Sequence, residues 1–307
     1  MLRAIVKTGS GGRRRAVKAI VLPGVLALAL ATVTAARADQ QPNVDELMAR
    51  IGERIAEFYK RSKNVICIET STVQPVDFNY SPEGFARTVE SELHVESEGG
   101  QAPGEAVVVR KVRKVNGRAP RDKDKKDRAG CTDPNPVSSE PLAFLLPAHR
   151  PEYQFRNVGM TKDRNRTALM IDFASVNRRS KPELIEDPGG HDDCFDWSGH
   201  IALRGRVWVD AENYDVVRVE RGLLGPVDVN VPELIQRRHH LDSWIALVRD
   251  DMTIRYRTVV FSDPDEVLLL PESIDSVTVV RGGLQSARRN QTFSDYQRFV
   301  TDGRVLP

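Results

Sequence analysis

The chain has 307 residues, 40% of them apolar and 29% charged, with 45 Lys+Arg against 43 Asp+Glu. That length fits one large domain or two small ones. A mean hydropathy of −0.40 with ordinary Gly and Pro contents excludes a polytopic membrane protein, a collagen-like chain and a wholly disordered one.

Seven basic residues and no acid fall within positions 1–38, around an almost wholly apolar run from Ala19 to Val33 that leads to Ala36-Arg37-Ala38. A basic segment, a short apolar segment and a small-x-small site read together as a secretory signal peptide cut after Ala38. The apolar run falls short of the roughly 20 residues that span hydrocarbon. The expected location of the mature protein is the periplasm or the medium. Without positions 1–38 the chain carries 38 Lys+Arg against 43 Asp+Glu, so the slight basicity that hints at nucleic acid belongs to the export signal. With little aromatic interleaving among the basic residues, no nucleic-acid partner is expected.

Asn43 with Glu46 resembles a capping box, and Val44, Leu47, Met48, Ile51, Ile55, Phe58 and Tyr59 recur at helical spacing. This predicts one amphipathic helix. The period then changes to two. Val65-Ile66-Cys67-Ile68 reads as a buried strand, and Val89, Leu93 and Val95 alternate with charged residues. Residues 105–115 continue as a strand to an Asn116-Gly117 turn. Residues 110–128 hold ten basic side chains and three Asp, a charge that could engage anionic head groups or an acidic partner; as a basic loop, 110–130 is read as inserted in the domain. The bland alternative is a solvated segment that keeps strand edges apart.

Ser138 to Pro147 reads as a short covering helix with Pro141 in its first turn. Strands follow at 153–159 and 167–174, a polar loop at 177–199, and then strand-like stretches at 200–209, 214–221, 244–249, 252–261, 266–270, 274–282 and 286–300. Many short strands with two helices predict a mainly β, antiparallel α+β fold over residues 39–301, with 302–307 as a tail. No repeat of 20–50 residues supports a propeller or a solenoid.

The common catalytic signatures are missing: no Gly-x-Ser-x-Gly elbow, no His-Glu-x-x-His helix, no phosphate loop and no Cys-x-x-Cys. No catalytic residue, metal or cofactor is assigned. His191-Asp192-Asp193-Cys194 with His200 could be drawn as a metal site, and His239-His240 as another, but neither has the spacing of a preformed one. In an oxidising compartment Cys131 and Cys194, both in turn-rich surroundings, are expected to pair, while Cys67 is buried as a small hydrophobe. The alternative is three free thiols.

Gly205-Arg206-Val207-Trp208-Val209-Asp210-Ala211-Glu212-Asn213-Tyr214-Asp215-Val216-Val217-Arg218-Val219-Glu220 is a Gly-led aromatic strand, an Asp-containing turn and a second strand. This hairpin resembles one in the LolA/LolB-like superfamily and the related RseB-type sensors. Cys131-Thr132-Asp133-Pro134, followed by Leu142-Ala143-Phe144-Leu145-Leu146-Pro147, resembles a segment of uncharacterised exported bacterial proteins of that type. The resemblance implies a curved, half-open antiparallel barrel that clasps acyl chains in its concavity under helical lids. It implies a non-enzymatic binding protein whose partner is a hydrophobic ligand, a lipid or a lipoprotein acyl chain. Cavity-lining candidates are Phe144, Leu145, Trp208, Leu223 and Leu224. The rival readings are an interaction or sensor module for another envelope protein, and an exported hydrolase with an unrecognised site.

The cysteine reading has a direct test. A Cys131–Cys194 bridge closes a 64-residue loop, for which chain entropy gives about 4 kcal/mol. Mass spectrometry of a non-reduced digest is expected to contain the cross-linked peptide; unlinked peptides alone would contradict the pairing.

Overall fold

The computed structural model describes residues 43–62, 64–96, 107–121, 141–186, 195–262 and 265–298. Helix α1 (Val44–Arg61) begins where the capping pattern predicts, with Asn43 Oδ1 accepting from the Asp45 N–H at 3.0 Å. Acids in its first turn and Lys60 and Arg61 in its last complement the helix dipole. Leu47, Met48, Ile51 and Ile55 are buried, so the predicted stripe is the one that packs.

The strands are β1 (Val65–Val76), β2 (Arg87–Glu96), β3 (Val107–Val115), β4 (Tyr153–Asp163), β5 (Arg166–Ser175), β6 (Glu183–Glu186), β7 (Phe195–Ser198), β8 (Leu203–Asp210), β9 (Val216–Leu223), β10 (Val227–Asn230), β11 (Trp244–Ser262), β12 (Asp265–Arg281) and β13 (Ser286–Arg298). They form one sheet whose main path runs β3-β2-β1-β13-β12-β11-β9-β8-β5-β4, with β10, β6 and β7 branching from β11. Every pairing along the main path is antiparallel, and β3 and β4 end the path without pairing to each other. This is the mainly β, half-open barrel expected.

Alternate residues explain how one face becomes the core. In β1, Val65, Cys67, Glu69, Ser71 and Val73 are buried while the residues between them are partly exposed. The inward residues of β1, β5, β8, β9, β11, β12 and β13 join α1 in one cluster. A second cluster gathers Leu184, Leu223, Val229, Ile245 and Leu247 with Ile235 of α2 (Glu233–His239).

Five details differ from the sequence reading. Residues 110–115, read both as the end of the 105–115 strand and as the start of the 110–130 basic loop, belong to strand β3, paired to β2. The polar stretch 177–199 contains β6 and β7, each four residues long, too short for alternation to stand out. The covering helix is a single 3-10 turn, Ala143–Leu145, within the described part of 138–147. Helix α2 was not expected: it has seven residues and one buried apolar side chain, Ile235, and so shows no period. The pairs 244–249 with 252–261 and 266–270 with 274–282 are single strands, because Asp250-Asp251 and Pro271 stay in register beside bulges instead of turning.

A charged group lies inside the apolar face. Glu69 is 1% exposed; Arg110 Nε donates to it at 2.6 Å and Gln291 Nε2 at 2.8 Å. This ties the edge strand β3 to β1 and β13, and removing one partner would strand a charge. Glu69→Ala is expected to cost about 3 kcal/mol in chemical denaturation, and Glu69→Leu with Arg110→Met less than that. An E69A midpoint equal to wild type would contradict the pairing.

Candidate functional site

The concave face is built by hydrophobic side chains that no other strand covers among the described residues. Ile171, Val207, Val209, Val219, Ile254 and Ile274 from successive strands meet Leu47, Met48, Ile51 and Ile55 of α1. At the far end of the helix Phe58 stands edge-on to Tyr256, with ring centroids 6.3 Å apart.

The segment 141–147 closes the rest. Leu145 is fully buried, and the Phe144 ring packs on Phe173 at 4.6 Å and edge-on to Tyr153 at 5.6 Å. The Leu142 N–H donates to Tyr59 Oη at 3.1 Å, which fixes the segment to α1. Two glycines permit this closeness. A Cβ on Gly52, in mid-helix, would lie 3.0 Å from Arg150 Nη2 and 3.5 Å from the Leu145 carbonyl, so the helix gives up propensity for contact there. A Cβ on Gly205 would lie 2.0 Å from the Glu220 carbonyl oxygen and 2.6 Å from Phe173 Cζ. The Gly that leads the resembling hairpin therefore makes room for the ring that receives Phe144.

The turn of the same hairpin holds the helix. Asp210 Oδ1 accepts from the Glu212 N–H and Asn213 Oδ1 from the Asp215 N–H, both at 2.9 Å, while Tyr214 adopts φ 62. Tyr214 Oη thereby receives Arg50 Nη1 at 3.0 Å, and the Asp215 carboxylate pairs with Arg54. At the other end of α1, Arg61 donates to Glu266 at 2.7 Å and to the Val267 carbonyl at 3.0 Å. These contacts lie at the rim and are partly exposed, so each adds little stability beside the apolar stripe.

The five candidate residues are not gathered at one place. Phe144 and Leu145 belong to the α1-covered cluster. Trp208 packs with Ala168 and Val217 in a separate cluster, and Arg218 lies 3.9 Å over its ring. Leu223 belongs to the cluster around α2, and Leu224 is half-buried in the turn after β9, its N–H bonded to the Ala202 carbonyl. Trp208 alternates with Val207 and Val209, so a strand that buries those valines against α1 turns Trp208 away.

Cys67 is buried and free, and burial, with Glu69 adding to it, pushes its thiol up to about 12, so it is no nucleophile. Cys131, Cys194 and His191 lie outside the described residues. The His200 Nε2 atom is 2.9 Å from the Asn177 carbonyl, and the ring of His239 stands edge-on to Phe195 at 4.8 Å. Among the described residues no three His, Cys, Asp or Glu side chains converge as a metal-binding group. Sequence reasoning missed Arg54, Asp215, Arg61 and Glu266, since the two pairs are separated by 161 and 205 residues.

No family model and no curated protein matches the chain. Among solved structures it is similar to a DUF1329 family protein from Desulfovibrio piger, at 9% identity and TM-score 0.36, over 84% of this chain and 94% of that one. It is similar also to a LolA superfamily protein from Nitrosomonas europaea, at 9% identity and TM-score 0.32, over 85% and 97%. A third is the MucA/MucB complex of Pseudomonas aeruginosa, at 10% identity and TM-score 0.23, over 83% and 100%.

The Gly205 contact makes a sharp prediction. Gly205→Ala is expected to lose about 3 kcal/mol or more, because a backbone oxygen and a ring both obstruct the new methyl. Adding Phe173→Ala relieves only the ring and should not restore the melting temperature; a G205A protein as stable as wild type would contradict the geometry.

Proposed function

We propose that the protein is an exported, non-enzymatic binding protein whose α1-covered face takes the acyl chain of a lipid or lipoprotein. One observation carries the reading: among the described residues, the apolar face of a large open sheet is covered by one helix and one 3-10 turn, which rim contacts hold in place. Sheets are ordinarily covered by a second sheet or by several helices. A cover this small can be displaced, and an acyl chain would replace its contacts at about 0.8 kcal/mol per buried methylene.

In this mechanism the ligand competes with α1 for the wall, while Phe144 and Leu145 stay on it and line the opened face. Rotation of the helix about its Arg54–Asp215 and Arg61–Glu266 contacts would open the face and leave the strand ladder intact. Of the sequence candidates, Phe144 and Leu145 are proposed to meet the ligand. The basic edge strand β3, with Lys111, Arg113 and Lys114, supports the second reading, an acidic envelope-protein partner. A pull-down that survives changes at Phe144 but not at Lys111 and Arg113 would favour that reading.

Purified protein is expected to take up a fluorescent fatty-acyl probe saturably. Arg54→Ala with Arg61→Ala should speed uptake about fivefold by loosening α1, and Phe144→Ala should weaken binding. Absence of any lipid adduct in native mass spectrometry, together with no probe uptake by wild type or the loosened variant, would contradict the proposal.

A further inference from the structure

The end of the sheet where β1 stops and β2 and β11 start carries aromatic side chains that the core does not use. The β1–β2 connection, residues 77–86, presents Phe78 at 66% exposure and Phe85 at 97%, with Tyr80 between them. At the start of β11, Trp244 is 57% exposed. The antiparallel register puts both groups at the same end, since Val76 pairs with Ser286, the first residue of β13, and Ala246 pairs with Arg281, the last of β12.

The loop is held rigidly while its rings face solvent. Asp77 Oδ1 accepts from the N–H groups of Asn79 and Ser81, at 2.8 and 2.9 Å. The Glu83 N–H donates to the Pro75 carbonyl, and Gln74 Nε2 reaches the Pro75 and Glu83 carbonyls. Tyr80, at φ 66, extends across β13 and β12 to lie 4.9 Å from the Arg249 guanidinium on β11. Exposed, fixed aromatic groups cost solvation in water and are favourable where a ring can sit at head-group depth.

Each aromatic group has an arginine beside it. Arg288 pairs across the ladder with Gln74, at the base of the loop, and Arg281 lies two residues along the ladder from Trp244. Both are exposed, and among the described residues neither has a carboxylate partner. Exposed acids at this end include Glu83 on the loop, Asp242 beside Trp244, and Asp228, which pairs across the ladder with Ala246, the residue opposite Arg281. We infer that this end docks on an anionic lipid bilayer, with Phe78, Phe85 and Trp244 entering the interface and Arg281 and Arg288 meeting the head-group charge. The inference does not rest on the acyl-chain reading, because it uses the β1–β2 connection and the ends of β11, β12 and β13 and none of the residues around α1.

Flotation of the full mature chain with vesicles tests it. Vesicles of phosphatidylcholine containing one-third phosphatidylglycerol should carry the protein, and phosphatidylcholine alone should carry far less. Phe78→Ser with Phe85→Ser, and separately Arg281→Glu with Arg288→Glu, should each lower partitioning about tenfold or more with unchanged melting temperature. Raising salt should weaken binding of wild type. Val260→Ser, at an exposed apolar site elsewhere on β11, should bind as wild type does. Wild type that stays off the anionic vesicles, a serine double variant that floats equally well, or an equal loss in V260S would overturn the inference.

Discussion

An antiparallel sheet that bends without closing has one apolar face that its own strands cannot cover. The contact between that face and the Leu47, Met48, Ile51, Ile55 stripe of α1 is the constraint on which the rest of the molecule depends. It dictates where the residues 141–147 must lie, because the helix alone leaves Phe173 and Tyr153 uncovered and Phe144 completes the layer. It also explains the two conformational concessions, a glycine in mid-helix at Gly52 and one in mid-strand at Gly205, each at a point of close approach.

Two kinds of force hold the cover, and they differ in reach. Apolar burial supplies most of the free energy and is indifferent to the angle of the helix. The rim contacts of Arg50, Arg54 and Arg61 supply orientation, fixing α1 against the 210–215 turn at one end and the start of β12 at the other. A cover with strong non-directional and weak directional contacts can shift without dissolving the fold. The buried Glu69, Arg110 and Gln291 group has the opposite character: it is directional and inside, and it fixes β3, β1 and β13 to one another.

Much of the fold was legible in the sequence because its signals are periodic. The α1 stripe and its Asn43 cap, the alternation in β1 and β2, and the burial of Cys67 follow from residue spacing alone. Helix α2 and strands β6 and β7 escaped because elements of seven and four residues carry too few positions for a period. Bulges kept β11 and β12 continuous where Asp and Pro suggested turns. The site was less legible. Phe144 and Leu145 stand out as an apolar run, but Trp208 is equally apolar and sits on the other face, a difference set by strand parity and invisible in composition. Arg54 and Asp215 find each other only through the tertiary fold.

The central claim is that α1 is a displaceable cover over a ligand-binding wall. Hydrogen exchange of the α1 amides, measured against those of β1 and β12 with and without an acyl-chain ligand, tests it most directly. The account predicts that α1 opens well before the strand ladder and that ligand changes exchange in α1 and the 142–146 segment while the ladder stays protected. Exchange of α1 at the same rate as the ladder, unaltered by ligand, would contradict it.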